Sequence, residues 1–128
     1  MEYGRRIVVD APFEETVERV RAAFAEEGFG VLTEIDVQAT LKAKLDRDLE
    51  RYLILGACNP ALASRALDAD RTIGLLLPCN VVVREEGDRT VVDALDPLMM
   101  AELTGLPEVQ QVADEAGDRI DRALAALS

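Results

Sequence analysis

The 128-residue chain contains no histidine. That removes the commonest general base and the commonest transition-metal ligand, and with them Ser–His–Asp triads, HExxH zinc sites and proximal-His haem. Two cysteines, Cys58 and Cys79, are too few for a four-cysteine zinc or iron–sulfur site. The sequence has neither an EF-hand loop nor a Walker A motif, so it implies no metal and no cofactor. Basic residues are scarce: 14 Lys and Arg stand against 25 Asp and Glu, a net charge of −11. Nucleic-acid binding needs cations to neutralise phosphates, and docking on anionic lipid needs them too. Neither nucleic acid nor a membrane is therefore an expected partner. No apolar run reaches the ~20 residues that span a bilayer, and the opening MEYGRRIVVDAP has no apolar signal core. So few cysteines point to a reducing, cytoplasmic setting.

What is present is an ordinary globular balance, 49% apolar and 30% charged residues. No repeat, low-complexity tract or Ser/Pro linker divides the chain, which predicts one domain over residues 1–128. Residues 4–10 read as a strand. Pro12 opens a helix at its first turn, Glu14 and Glu15 favour the positive end of its dipole, and Phe13, Val17, Val20 and Phe24 share one face. Gly28 stops it, and Phe29 to Ile35 form a second strand. Asp36 caps a short helix with Val37, Leu41 and Leu45 on its apolar side. Residues 46–50 are a polar loop. Residues 52–58 (YLILGAC) are apolar without alternation and read as a strand buried on both faces. Asn59-Pro60 is a cap followed by a first-turn proline, starting a helix to about Ala69. Residues 71–78 read as a helical turn or as an extended run ending at Pro78. A hairpin follows, Cys79 to Glu85 and Arg89 to Leu95 around Glu86-Gly87-Asp88. Asp96-Pro97 opens a helix that stops at Gly105. From Pro107 a last helix buries Val109, Val112, Ala116, Ile120, Ala123 and Leu127 and turns Asp114, Glu115, Asp118 and Asp121 to water.

This order predicts an α+β fold: a single five-stranded mixed or antiparallel sheet with helices packed mainly on one face, a two-layer sandwich. The other sheet face then needs a cover, and a second copy of the chain is the simplest one, so a homodimer is expected.

Two Cys-Asn pairs, Cys58-Asn59 and Cys79-Asn80, are the sharpest local feature. Each sits at a strand terminus, and Cys58 lies just before a helix N-terminus, where backbone N–H groups favour a thiolate. One reading is a ligand or redox site made of Cys58, Asn59, Cys79 and Asn80. The bland reading makes both thiols small core residues, Asn59 a helix cap and Asn80 a turn residue. A shared site requires Cys58 and Cys79 to lie within about 10 Å across Cα atoms. That follows if the two strands are antiparallel neighbours and residues 71–78 run extended, covering about 25 Å. Pro78 favours this by holding Leu77 extended. Other candidates are weaker. Met99 and Met100 read as core fillers. Arg5 and Arg6 point to opposite faces of a strand. Glu14, Glu15, Glu26, Glu27, Glu85 and Glu86 read as solvated, with no spacing that selects an acid–base pair.

The segments GACNPALASRAL (56–67) and IGLLLPCNVVVRE (73–85), the opening run 11–45 and the closing DALDP resemble the family known as domain of unknown function 302. The resemblance covers nearly the whole chain. It implies a small bacterial α+β protein, stand-alone and homodimeric, and supplies no activity, substrate or catalytic residue. The sequence therefore points to a non-enzymatic small-ligand-binding or interaction module with an unidentified ligand. The alternative is a thiol-dependent redox enzyme with Cys58 as nucleophile and Cys79 resolving it.

Overall fold

The chain builds five strands and five α-helices, seen in a computed structural model that describes residues 2–128. In order they are β1 (Gly4–Val9), α1 (Phe13–Glu26), β2 (Gly30–Asp36), α2 (Val37–Leu45), β3 (Tyr52–Cys58) and α3 (Pro60–Ala69). A 3₁₀ segment (Arg71–Leu76) then leads to β4 (Cys79–Glu86), β5 (Arg89–Leu95), α4 (Leu98–Thr104) and α5 (Pro107–Ala125). The strands form one sheet in the order β1-β5-β4-β3-β2, with every neighbouring pair antiparallel. This is the expected two-layer α+β architecture, in its wholly antiparallel form.

The local chemistry accounts for most element ends. Asp36 accepts a hydrogen bond from the Ala39 N–H, and Asn59 accepts one from the Leu62 N–H, so each caps the helix that follows it. Asp96 does the same for the Leu98 N–H. Gly28 and Gly105 end α1 and α4 with φ of 86° and 67°, a conformation that a Cβ disfavours. The β4–β5 turn is Gly87-Asp88, since Glu86 already pairs with Arg89. It is one residue shorter than the spacing suggested.

Alternation along the strands decides the two faces. Val9, Leu53, Leu55, Ala57, Val81, Val83, Val92 and Ala94 point to one side and bury against Val17, Val20 and Phe24 of α1 and Ile120, Ala123 and Leu124 of α5. The N-terminal half of α5 builds a second apolar cluster with α3, α4 and the 3₁₀ segment, through Leu62, Ile73, Met100, Val109 and Val112. Thus α5 joins both clusters, and its expected stripe is buried throughout.

Two expectations are corrected, and the open choice for residues 71–78 falls to the helical turn. β3 is not buried on both faces: Leu53, Leu55 and Ala57 are buried, but Tyr52 and Ile54 on the other side are half-exposed. The unbroken apolar run reflects an uncovered face that stays apolar. α2 has the predicted cap and boundaries, yet none of its residues is buried, and Leu45 at its end is exposed. Its main packing is against β3. Residues 71–76 coil into a 3₁₀ turn capped by the Asp70 carboxylate on the Thr72 N–H, with Ile73 buried. Only Leu77 is extended. The side-chain cap and the burial of Ile73 hold the turn, and the extended preference before Pro78 is met at Leu77 alone.

Candidate functional site

The register places Ala57 opposite Cys79 and Gly56 opposite Asn80. Cys58 and Cys79 are therefore diagonal neighbours on adjacent antiparallel strands, about 6 Å apart across Cα atoms from standard sheet spacings. The chain leaves the end of β3 along α3 and returns through the 3₁₀ turn to the same end of the sheet.

The surroundings argue for packing rather than chemistry. Cys79 points into the helix layer beside Ala57 and is 8% exposed. Burial, and then the nearby Cys58, push its thiol up to about 11, away from the reactive thiolate form. Cys58, half-buried, and Asn59 line the same small cavity together with Leu62, Ala66, Met100 and Val112. Its volume is about 20 Å³, room for a water rather than a metabolite. Asn59 is consumed by structure. Its side chain caps α3 and donates to the Glu27 carbonyl at 3.4 Å. Asn80 is exposed and belongs to the opposite sheet face. The sheet therefore separates Cys79 from Asn80, and the four sequence-selected residues do not share one face.

Glu27 is not the solvated residue its sequence context suggested. α1 has no basic residue in its last turn. Its C-terminal charge is met from α5 instead. Arg119 donates to the Glu27 carbonyl at 3.1 Å, and Arg122 donates to the Glu27 carboxylate at 2.9 Å. This clamp ties α1, α3 and α5 together.

Arg5 and Arg6 do face opposite ways. Arg5 enters the helix layer and donates to the Gly117 carbonyl, Asp96 and Asp121. Those two carboxylates hold its guanidinium charged against the partial burial that opposes them. Arg6 lies on the open face and forks onto both oxygens of Asp93, at 2.7 and 3.0 Å.

Two hollows border that open face. One, of about 360 Å³, is lined by Arg6, Tyr52, Val82, Arg84 and Asp93. Beside it lies another of about 320 Å³, lined by Leu75, Leu77, Met99 and Leu103. Tyr3, Asn80 and Leu95 line both, so the two are lobes of one cleft. The first lobe holds two guanidiniums and one carboxylate, a local charge of +1 inside a chain of −11. Sequence reading missed Arg6, Tyr52, Arg84 and Asp93 as a group. The available signal was the alternation Arg6-Val8, Val82-Arg84 and Asp93-Leu95, which makes one face only once the register is known.

Among the described residues, no three His, Cys, Asp or Glu side chains converge to hold a metal ion, and no helix is long and apolar enough to cross a membrane. Residues 6–127 match the family described as domain of unknown function DUF302. The chain belongs to the DUF302 family. The matched DUF302 region includes both Cys-Asn pairs, all of the sheet from Arg6 onward, and Arg84. The fold is similar to the crystal structure of an uncharacterized conserved DUF302 protein from Bacillus stearothermophilus, at 29% identity and a TM-score of 0.92 over 100% of both chains. No curated protein matches the sequence.

Proposed function

We propose that this protein is a non-enzymatic binding module that works as a homodimer, with the open sheet face as its working surface. The observation that carries the reading is the charge of that face. Its strand residues supply Arg6, Arg84 and Arg89 against Glu86 and Asp93, an excess of one positive charge, while the whole chain carries −11. Two such chains repel each other over acidic surfaces but not here. Apolar groups fill the spaces between those charges: Val8 is 47% and Ile35 50% exposed, and Ile54, Val82 and Leu95 are partly exposed. Face-to-face packing of two copies supports an interface above roughly 1,000 Å² with an apolar centre.

Sedimentation velocity at micromolar concentration tests it. The expected result is a dimer for the wild-type chain and a folded monomer for Val82→Glu. A wild-type monomer overturns the reading.

A second reading, thiol redox chemistry at Cys58 with Cys79 resolving, is favoured by one observation, the diagonal placement of the two residues. It is opposed by the apolar cavity and by the raised Cys79 thiol. Intact mass after treatment with hydrogen peroxide separates the cases. Rapid loss of two hydrogens through a Cys58–Cys79 disulfide supports redox chemistry, and an unchanged mass rejects it.

A further inference from the structure

We infer that the two-lobed cleft on the open face binds a small monocarboxylate with an apolar chain, its carboxylate on Arg84 and its chain running toward Leu75, Met99 and Leu103. The inference rests on the open face being the working surface, and in the dimer the ligand lies between the two copies.

Arg84 is the less committed of the two cations that line the cleft. Arg6 has both forks satisfied by Asp93. Arg84 makes one contact, with Glu86 at 3.4 Å, although its side chain is only 21% exposed. A half-buried guanidinium with free N–H donors is a suitable partner for a carboxylate, which it grips through two parallel hydrogen bonds. Tyr52 stands directly opposite Arg84 in the register and lines the same lobe, so a phenolic hydroxyl borders the same position. Glu86 offsets part of the charge of Arg84, so the cleft takes no more than one negative charge on the ligand. A dianion would be repelled by Asp93, and a cation by the two guanidiniums.

The rest of the ligand follows from the strand geometry. Arg84, Val82 and Asn80 alternate on the open face of β4, spanning about 13 Å. Asn80 stands where the lobes meet, and beyond it the lining is nearly all apolar. Leu75 and Leu103 there are 84% and 68% exposed, an apolar wall with nothing from its own chain against it. A chain lying over Val82, passing Asn80 and ending among these leucines is apolar where the cleft is apolar and charged only at Arg84. This is the usual distribution in small-molecule sites, where few polar groups fix the orientation and apolar area supplies most of the binding.

The test uses the wild-type chain with decanoate as probe, followed by isothermal titration calorimetry, with 1-decanol and decyltrimethylammonium as comparison ligands. One decanoate per protomer is expected, with both comparison ligands at least tenfold weaker. Arg84→Gln should weaken decanoate at least tenfold while leaving decanol unchanged. Leu103→Glu, on an exposed position that folding does not need, should weaken it as well. Circular dichroism confirms that each variant is folded. Absence of decanoate binding at millimolar concentration overturns the inference, as does equal binding by Arg84→Gln or equal affinity for decanol. Sedimentation of the same samples separates the two proposals. A dimer that ignores decanoate overturns the ligand and leaves the dimer, and a monomer that binds it overturns the dimer and leaves the ligand.

Discussion

On the helix-covered face of the sheet, Leu55, Val81, Val83 and Val92 lie side by side with at most 1% exposure. On the other face the same strands present Ile54, Val82, Arg84 and Asp93, all partly exposed. Both sides carry aliphatic residues, but the open one mixes them with charges, and nothing from the helix layer covers it. The covered face has turned its apolar area into stability, since each fully buried aliphatic side chain contributes roughly 1.5–3 kcal/mol. The open face has kept its area available, and it holds its charges in places where a ligand or a second copy can meet them. Even so, it is not uniformly loose. Val91 belongs to the open face by its pairing with Val8 and Arg84, and is 1% exposed. Its cross-strand neighbours Val8 and Arg84 flank it, and Arg84 also lines the cleft.

The largest test of this comparison is a pair of truncations. Leu55→Ala removes a side chain with 0% exposure from the covered face. It is expected to cost about 2–5 kcal/mol in urea denaturation, the sum of lost transfer energy and a cavity. Val82→Ala, on the adjacent strand but the open face, is expected to cost about 1–2 kcal/mol in the monomer, since Val82 is only partly removed from water. Equal losses would mean that the open face is packed by its own chain and would remove the contrast.

Next is the pH dependence of Cys79, the thiol on the covered side. Its folded value of about 11 lies above the ordinary 9.0. In the unfolded chain the thiol ionises first, so the unfolded state binds fewer protons between these values and stability falls as pH rises. This contribution is fully present below about pH 9 and is lost through pH 11, on the order of 2–3 kcal/mol in all. Comparing wild type with Cys79→Ala across that window isolates it. Parallel pH curves for the two would show that Cys79 is solvated like an ordinary thiol.

Arg5 and Arg6 give a smaller contrast from adjacent positions. Arg5→Ala takes one donor from the Gly117 carbonyl and leaves the half-buried Asp96 with the Leu98 N–H alone, and is expected to cost about 1.5–3 kcal/mol. Arg6→Ala breaks a two-pronged pair whose arginine is 47% exposed, and is expected to cost under about 1 kcal/mol. A larger loss for Arg6 than for Arg5 in thermal unfolding would reverse the assignment of the two faces.

Gly56 sharpens the boundary itself. A Cβ at Gly56 would run into the Thr33 hydroxyl on β2 and would sit 2.9 Å from the Pro78 ring. Gly56→Ala is expected to cost about 1–3 kcal/mol through overpacking, with the edge strand β2 loosening first in hydrogen exchange. An unchanged exchange pattern in β2 would show that the sheet absorbs the methyl group elsewhere.

The parts of this molecule that were legible in the sequence are those governed by neighbours within a few residues. Asp36, Asn59 and Asp96 announce helix starts because a side-chain oxygen reaches an N–H two or three residues on. Gly28 and Gly105 announce helix ends because they tolerate positive φ. The stripe of α5 reads at helical spacing because one face of a helix meets one core. The candidate site read less well. The Cys-Asn pairs stood out as a repeated motif, yet Asn59 is used as a cap and Asn80 lies on the opposite face of the sheet from Cys79. The cleft residues Tyr3, Arg6, Tyr52, Arg84 and Asp93 come from four separate stretches of chain, none distinctive by itself.

By itself, then, the sequence determined the elements, their caps, the charge of −11 and the α+β class, because hydrogen bonds at helix ends and apolar periodicity are local. Only the tertiary structure decided the strand order β1-β5-β4-β3-β2 and the register. From these follow which of two alternating faces each residue takes. In a strand that choice has a period of two, so the pattern names two sets of residues without saying which set is covered. The answer comes from where α1 and α5 settle, which leaves Arg84 on the open side of the sheet and Cys79 on the closed one.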